Sequence, residues 1–318
     1  MSRHWARQSE RGSLLLMRLG FAAVNLLGRP LMVPVVWLVV GYFYLSRRSA
    51  RLAIAGYQQR LLAFSQGKVK LPRFAAVYRQ YLAFTDSLLD KLDVWRGKIS
   101  RADLTLIDLH GVHPQLGQGR GQILVTAHLG NTEIVRALVG QVPNVQINIL
   151  MHSKGARRFN QVLAAAGARA HLIEVSELNA ALMLDLAQRL ERGQWLAIAG
   201  DRIPIHGERT TTVQFLGGEA ALPQGPWLLA ALLRCPLNLL LCLPNADKGF
   251  SVILERLADG QAVPRGERAR QIAAQAQHYA DRLAYYCQQN PLQWFNFYPF
   301  WLDKNEGNNG ASTRKNQR

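Results

Sequence analysis

The sequence is poor in cysteine and in negative charge. Its three cysteines, Cys235, Cys242 and Cys287, lie in or beside apolar segments without C-x-x-C spacing. That argues against a zinc cluster and a disulfide framework, and it fits a reducing compartment. Acidic residues number 21 against 38 Lys and Arg, so the formal net charge is +17. Such a balance suits an acidic partner: nucleic acid, an anionic membrane surface or an acidic protein. There is no internal repeat, no glycine-rich nucleotide loop and no nucleic-acid module. The basic residues are spread along the chain, which weighs against nucleic acid as the partner. His110 and His113 stand three apart, but no carboxylate or cysteine cluster completes a metal site around them. No cofactor is implied.

Residues 13–45 are strongly apolar, and no small-residue cleavage pattern follows. The stretch is too long and too interrupted for a signal peptide. Gly28-Arg29-Pro30 divides it into halves of about 15 residues, roughly 20 Å of helix each against a hydrocarbon core of ~30 Å. Arg29 at mid-bilayer would be costly. Basic residues flank both ends, with Arg3, Arg7 and Arg11 before and Arg47, Arg48 and Arg51 after. Residues 1–46 are therefore expected to be a membrane-embedded or interfacial helical pair with both ends in the cytoplasm. One tilted span and a soluble core helix are the alternatives. Residues 47–302 read as one α/β domain and 303–318 as a disordered polar tail.

The α/β reading comes from periodicity. Residues 50–66 and 73–95 have helical spacing, the second through Phe74, Val77, Tyr81, Phe84, Leu88 and Leu92. From 122 onward, strand and helix patterns alternate. Strands are expected at Ile123–Ala127, Val145–Met151, His171–Val175, Trp195–Ala199, Thr210–Phe215, Leu237–Leu243 and Phe250–Leu254. Helices are expected from Thr132, and over Ala156–Ala166, Leu178–Arg192, Pro223–Leu233 and Glu267–Gln288. Such alternation predicts a mostly parallel sheet flanked by helices.

The stretch 122–139 carries the chemistry. A buried strand ends at His128, Leu129-Gly130-Asn131 turns, and Asn131 is placed to cap a helix that carries Glu133 in its first turn. Ligands bind at that rim of an open α/β sheet. On one helix, positions i and i+5 diverge by roughly 140°, but across a strand–turn–helix corner they can meet. A carboxylate beside an imidazole fixes one tautomer and raises its basicity. The histidine then serves as general base toward a hydroxyl. The same two residues would also suit a structural histidine and a helix-start glutamate.

Six stretches, in order, carry a resemblance. They are His128-Leu129-Gly130-Asn131-Thr132-Glu133; Arg157-Arg158-Phe159-Asn160; Gly200-Asp201-Arg202; Phe215-Leu216-Gly217; Pro223-Gln224-Gly225-Pro226 leading to Leu237; and Pro291-Leu292-Gln293-Trp294. Over about residues 10–302 the chain resembles the lipid A late acyltransferases, the lauroyl- and myristoyl-transferase branch of the lysophospholipid acyltransferase group. It looks most like members found with aryl-polyene biosynthesis. The resemblance implies a glycerolipid acyltransferase-like fold at the cytoplasmic face of an inner membrane. It implies an acyl carrier protein thioester as donor and a lipid or glycolipid acceptor. His128 would be the base and Glu133 its partner, with Arg157, Arg158, Asn160, Asp201 and Arg202 in substrate contact.

The residues suggest how such chemistry would run. Attack on a thioester develops an oxyanion, and backbone N–H groups at Gly130 and Asn131 are candidate donors. Arg157 or Arg158 could hold a phosphate, or belong to a solvated face. Asp201 and Arg202 could pair in the site or merely in the structure. Trp227, Trp294 and Trp301 could line an acyl groove or pack in the core. A thioester hydrolase and a non-catalytic basic membrane scaffold are the competing readings.

Overall fold

In the computed structural model, the described residues are 33–139, 145–151, 171–174, 179–203 and 209–302. The strongest apolar runs form the sheet. Strands β1 (Leu104–Asp108), β2 (Ile123–Thr126), β3 (Ile147–Met151), β4 (His171–Glu174), β5 (Trp195–Ala199), β8 (Leu237–Pro244) and β9 (Phe250–Ala258) make up seven strands in one sheet. Their order is β1-β9-β8-β2-β5-β3-β4, parallel throughout except for the β8–β9 pair. A separate antiparallel hairpin joins β6 (Thr210–Phe215) and β7 (Gly218–Pro223).

β2 lies at the centre of the sheet and is covered on both faces. Ile123 and Val125 join the core under the long helix α7 (Arg268–Gln289), with Ile272, Ala276, Tyr279 and Leu283. Leu124 faces the other way, toward Ile134 and Val135 of α4 (Thr132–Val139). Alternate side chains of a strand point to opposite faces, so a strand buried on both sides reads as a continuous apolar run. Helices α5 (Ala180–Glu191) and α6 (Gly225–Leu233) complete the layers. Asn179 caps α5, its side chain accepting from Leu182 N at 2.9 Å. The mostly parallel α/β sheet expected from the pattern is what forms.

The amino-terminal part of the described chain is helical: α1 over 33–46, α2 (Arg48–Phe64) and α3 (Ala76–Trp95). Val40, Ala50, Ile54 and Tyr81 form their shared core. α3 docks on the carboxyl rim of the sheet, where Gln80 Nε2 donates to Trp294 O at 2.7 Å and Asn131 Nδ2 donates to Ser87 O at 2.6 Å. Among the described residues, no helix is long and apolar enough to cross a membrane. α1 instead packs through one side while Trp37, Leu38, Tyr42 and Leu45 stay exposed. The other half of the expected helical pair, 14–27, lies outside the described residues, as do 303–318.

Candidate active site

Strand register brings the central groups together. β2 and β5 are parallel neighbours, paired from Ile123↔Leu196 to Thr126↔Ala199. The ladder continues past the strand ends, where Gly200 N donates to Thr126 O at 2.9 Å. Two residues beyond the last pair on each strand stand His128 and Asp201, still in register. Side chains in register on adjacent parallel strands share a face. His128 Nδ1 and Asp201 Oδ1 are 2.7 Å apart, and the His128 main-chain N–H donates to Asp201 Oδ2 at 2.8 Å. Gly200 is required here. A Cβ would stand 2.7 Å from Val125 Cγ1 and 3.0 Å from Tyr279 Cζ.

The carboxyl-terminal segment clamps the same loop. Phe295 N donates to His128 O at 2.7 Å, and Gly130 N donates to Gln293 O at 2.9 Å. Trp294 Nε1 donates to Asp201 Oδ2 at 3.3 Å, and Tyr298 OH donates to Asp201 O at 3.1 Å. Trp294 is wholly buried, with Tyr57, Phe215 and Phe300 at edge-on ring contacts. At ~25 cal/mol/Å², burying an indole of this size is worth about 4–6 kcal/mol as an upper estimate. That is more than enough to order a segment with no regular structure of its own.

Electrostatics follow from burial and these bonds. Burial would push the Asp201 carboxyl up. The charge and hydrogen bond of His128, the Arg202 guanidinium and the His128 N–H outweigh it, so the group lies below the usual carboxylate range. Burial pulls His128 below the ordinary imidazole value, with the positive charges of Arg202 and Lys91 adding to it, against the raising effect of Asp201. Near neutral pH the pair is therefore an ionised carboxylate and a neutral imidazole. The carboxylate only accepts, so Nδ1 carries the hydrogen and Nε2 keeps its lone pair. The histidine side chain is 34% exposed, whereas that of Asp201 is 2% exposed. Of the two, the imidazole is the group with exposed surface, and Nε2 is its basic atom.

Several expectations change. The carboxylate on Nδ1 is that of Asp201, from a strand distant in sequence, and not that of Glu133. Glu133 does stand in the first turn of α4, partly buried. The amides of Gly130 and Asn131 are not free for an oxyanion: they donate to Gln293 O and Cys242 O. The tight approach to β8 explains it. Gly130 has φ +75°, and a Cβ there would meet Cys242 O at 2.1 Å. The first turn of α4 begins at Thr132, and Ile134 N of that turn donates back to Asn131 O at 3.1 Å. Asn131 precedes α4 but does not cap it through its side chain: its NH₂ donates to Ser87 O at 2.6 Å, and its Oδ1 accepts no hydrogen bond among the described residues. Asp201 is buried, with its carboxylate bound to His128. Arg202 donates to Phe295 O at 3.3 Å. Trp227 and Trp294 are core residues, and Trp301 stacks on Phe215 with the Arg60 guanidinium over its ring. Arg157, Arg158 and Asn160 lie outside the described residues. His110 Nδ1 accepts from the Arg256 main chain at 3.2 Å.

Sequence reasoning missed Trp294 and Tyr298 as supports of the site. In the structure Asp201 follows the end of β5 by the same two residues as His128 follows β2, a match hidden in the sequence because the first strand reads as running to Ala127.

Residues 84–303 match the family described as bacterial lipid A biosynthesis acyltransferase. This chain belongs to that family. No curated protein matches it. The match begins within α3 and takes in the whole sheet and the carboxyl-terminal clamp, so His128, Asp201, Arg202, Trp294 and Tyr298 all fall within it. The family's chemistry is acyl transfer to a lipid, and the acyltransferase places the partly exposed His128 imidazole where ligands reach open α/β sheets.

Proposed function

We propose that the protein moves a fatty acyl chain from an acyl carrier protein thioester to a hydroxyl of a membrane lipid or glycolipid. The acceptor is lipid A-like or an aryl-polyene lipid. The observation that carries this reading is a partly exposed imidazole, its Nδ1 held by a buried carboxylate, at the carboxyl end of the central strand of a lipid A acyltransferase. Nε2 takes the proton of the acceptor hydroxyl as its oxygen attacks the thioester carbonyl. The C–O bond forms, the C–S bond breaks, and the imidazolium returns the proton to the departing thiolate. The Thr132 amide, where α4 begins, is the backbone donor nearest the developing oxyanion. Glu133, the acidic residue of the family pattern, adds negative charge at the same rim, and Arg157 or Arg158 binds phosphate.

The reaction sits at the cytoplasmic face of the inner membrane. Trp37, Leu38, Tyr42 and Leu45 of α1 are exposed, as are Leu52 and Phe64 of α2 and Phe74 before α3. Arg48, Lys68, Lys70 and Arg73 are exposed in the same part of the sequence. Apolar side chains rimmed by cations suit an interfacial seat on anionic lipid. Mass spectrometry of lipid extracts from deletion and complemented strains tests the function. A lipid that loses one acyl chain on deletion and regains it with the parent gene, but not with a His128→Gln gene, supports it. Unchanged lipids refute it. Free fatty acid released without any acylated lipid would instead favour the hydrolase.

A further inference from the structure

We infer that Asp201, pinned by the Trp294 indole, is the positioning residue that selects the His128 tautomer, a task the local sequence pattern gives to Glu133. The inference rests on His128 as the base. Its first test reads the ring itself and needs no turnover.

The two carboxylate oxygens of Asp201 have different duties. Oδ2 accepts two N–H donors, the His128 main chain at 2.8 Å and Trp294 Nε1 at 3.3 Å. Oδ1 faces His128 Nδ1 at 2.7 Å. This asymmetry makes the amide replacement informative. In Asp201→Asn only one oxygen remains, and the two fixed donors select it for the Oδ2 position. The NH₂ then occupies the Oδ1 position and donates to Nδ1. The ring must move its hydrogen to Nε2, and the base is lost with no change of volume. Trp294 is therefore more than core filling. Its indole strengthens the preference for oxygen at Oδ2, and its neighbour Phe295 holds the His128 carbonyl.

The charged and titratable groups facing the pair come from every side. Arg202 is on the Asp201 loop and Lys91 on α3. Tyr279 and Cys287 come from α7 and Tyr298 from the carboxyl-terminal segment, all three feeling the charge of Asp201. Burial holds the protons on the two tyrosines and on the cysteine. They do not titrate where His128 does.

The experiment is nitrogen NMR of the full chain labelled with ¹⁵N-histidine, with His128 assigned by its loss in His128→Gln. The parent should show hydrogen on Nδ1. Asp201→Asn should show it on Nε2, while Glu133→Gln and Trp294→Phe keep it on Nδ1. Activity adds a second reading. Asp201→Asn should lose about 10³-fold or more, on the scale known when a triad carboxylate becomes an amide. Trp294→Phe should lose about tenfold. Without the indole donor the carboxylate is more basic and holds the imidazolium better, so the acid limb of the rate profile should move to higher pH. Loss of packing alone would lower the rate without that shift. Glu133→Gln should leave the acid limb in place. Hydrogen on Nε2 in the parent, or a tautomer that follows Glu133 and not Asp201, overturns the inference. If Trp294→Phe does not fold, Asp201→Asn still decides which carboxylate sets the ring. If the ring behaves as stated but no acyl transfer occurs, the proposed function fails and the tautomer assignment stands.

Discussion

Gly200→Ala changes no reacting group and no charge, yet it should damage the site. The added methyl would stand 2.7 Å from Val125 Cγ1, 3.0 Å from Tyr279 Cζ and 3.2 Å from its hydroxyl. Ordinary contact begins near 3.4 Å, so about 0.7 Å of movement is needed. Val125 is wholly buried in β2, and Tyr279 is tied through its hydroxyl to Thr126 O at 3.0 Å. The loop that begins at residue 200 is the softer side, so it should move and carry Asp201 with it. A shift of that size stretches the 2.7 Å contact with His128 to the limit of a hydrogen bond. Overpacking of this kind costs about 1–3 kcal/mol, which is about 3–10 °C in melting temperature for a domain of this size. Misplacement by less than 1 Å should cost about 10- to 100-fold in rate. Differential scanning fluorimetry and steady-state acylation with a carrier-bound donor measure both. A variant within twofold of the parent rate, at an unchanged melting temperature, would show that the β2–β5 register does not position the pair.

Acid should destabilise the protein in two stages. His128 has a folded value below its unfolded ~6.5, so its contribution is present above that pH and is lost as pH falls toward the folded value. Asp201 is likewise depressed, so its contribution is present above ~3.9 and lost below. Melting temperatures from pH 7 to 5 should therefore fall less in His128→Gln than in the parent, and equal slopes would contradict this. Leu38→Asp with Leu45→Asp should weaken binding to anionic vesicles by tenfold or more, about 1.4 kcal/mol or above. Binding as tight as the parent's in a flotation assay would point to another attachment. Arg157→Ala with Arg158→Ala should raise the Michaelis constant for carrier-bound donor and flatten its salt dependence if they steer the acidic carrier. A rise in the acceptor constant alone would assign them to an acceptor phosphate, and no change in either would leave them as surface charge.

The parts legible in the sequence are those set by local pattern. β5 and β6 appear at the expected residues, and β8 and the helix over 268–289 within a residue or two, because each is a bounded apolar or periodic run. β1 was invisible: Leu104–Asp108 is an edge strand with its middle exposed, and its short mixed pattern matches no template. β7 was missed because Gly218, Glu219, Ala220 and Ala221 are weak strand formers, held by pairing with β6 and not by propensity. The histidine was found because it ends a buried strand. Its carboxylate was not, because β5 becomes the neighbour of β2 only after β3 and β4 have been placed beyond it. The two amides at Gly130 and Asn131 looked available for the same reason: their acceptors, Gln293 and Cys242, are more than a hundred residues away.

The central claim is transfer of an acyl group with His128 as base. The direct measurement mixes purified full chain, an acyl carrier protein thioester and a hydroxyl-bearing lipid acceptor, and follows acylated lipid and free thiol by mass spectrometry. The account predicts one acyl chain gained per thiol released, with His128→Gln reduced at least ~100-fold in a folded protein. Acylated lipid formed at the parent rate by His128→Gln would contradict it.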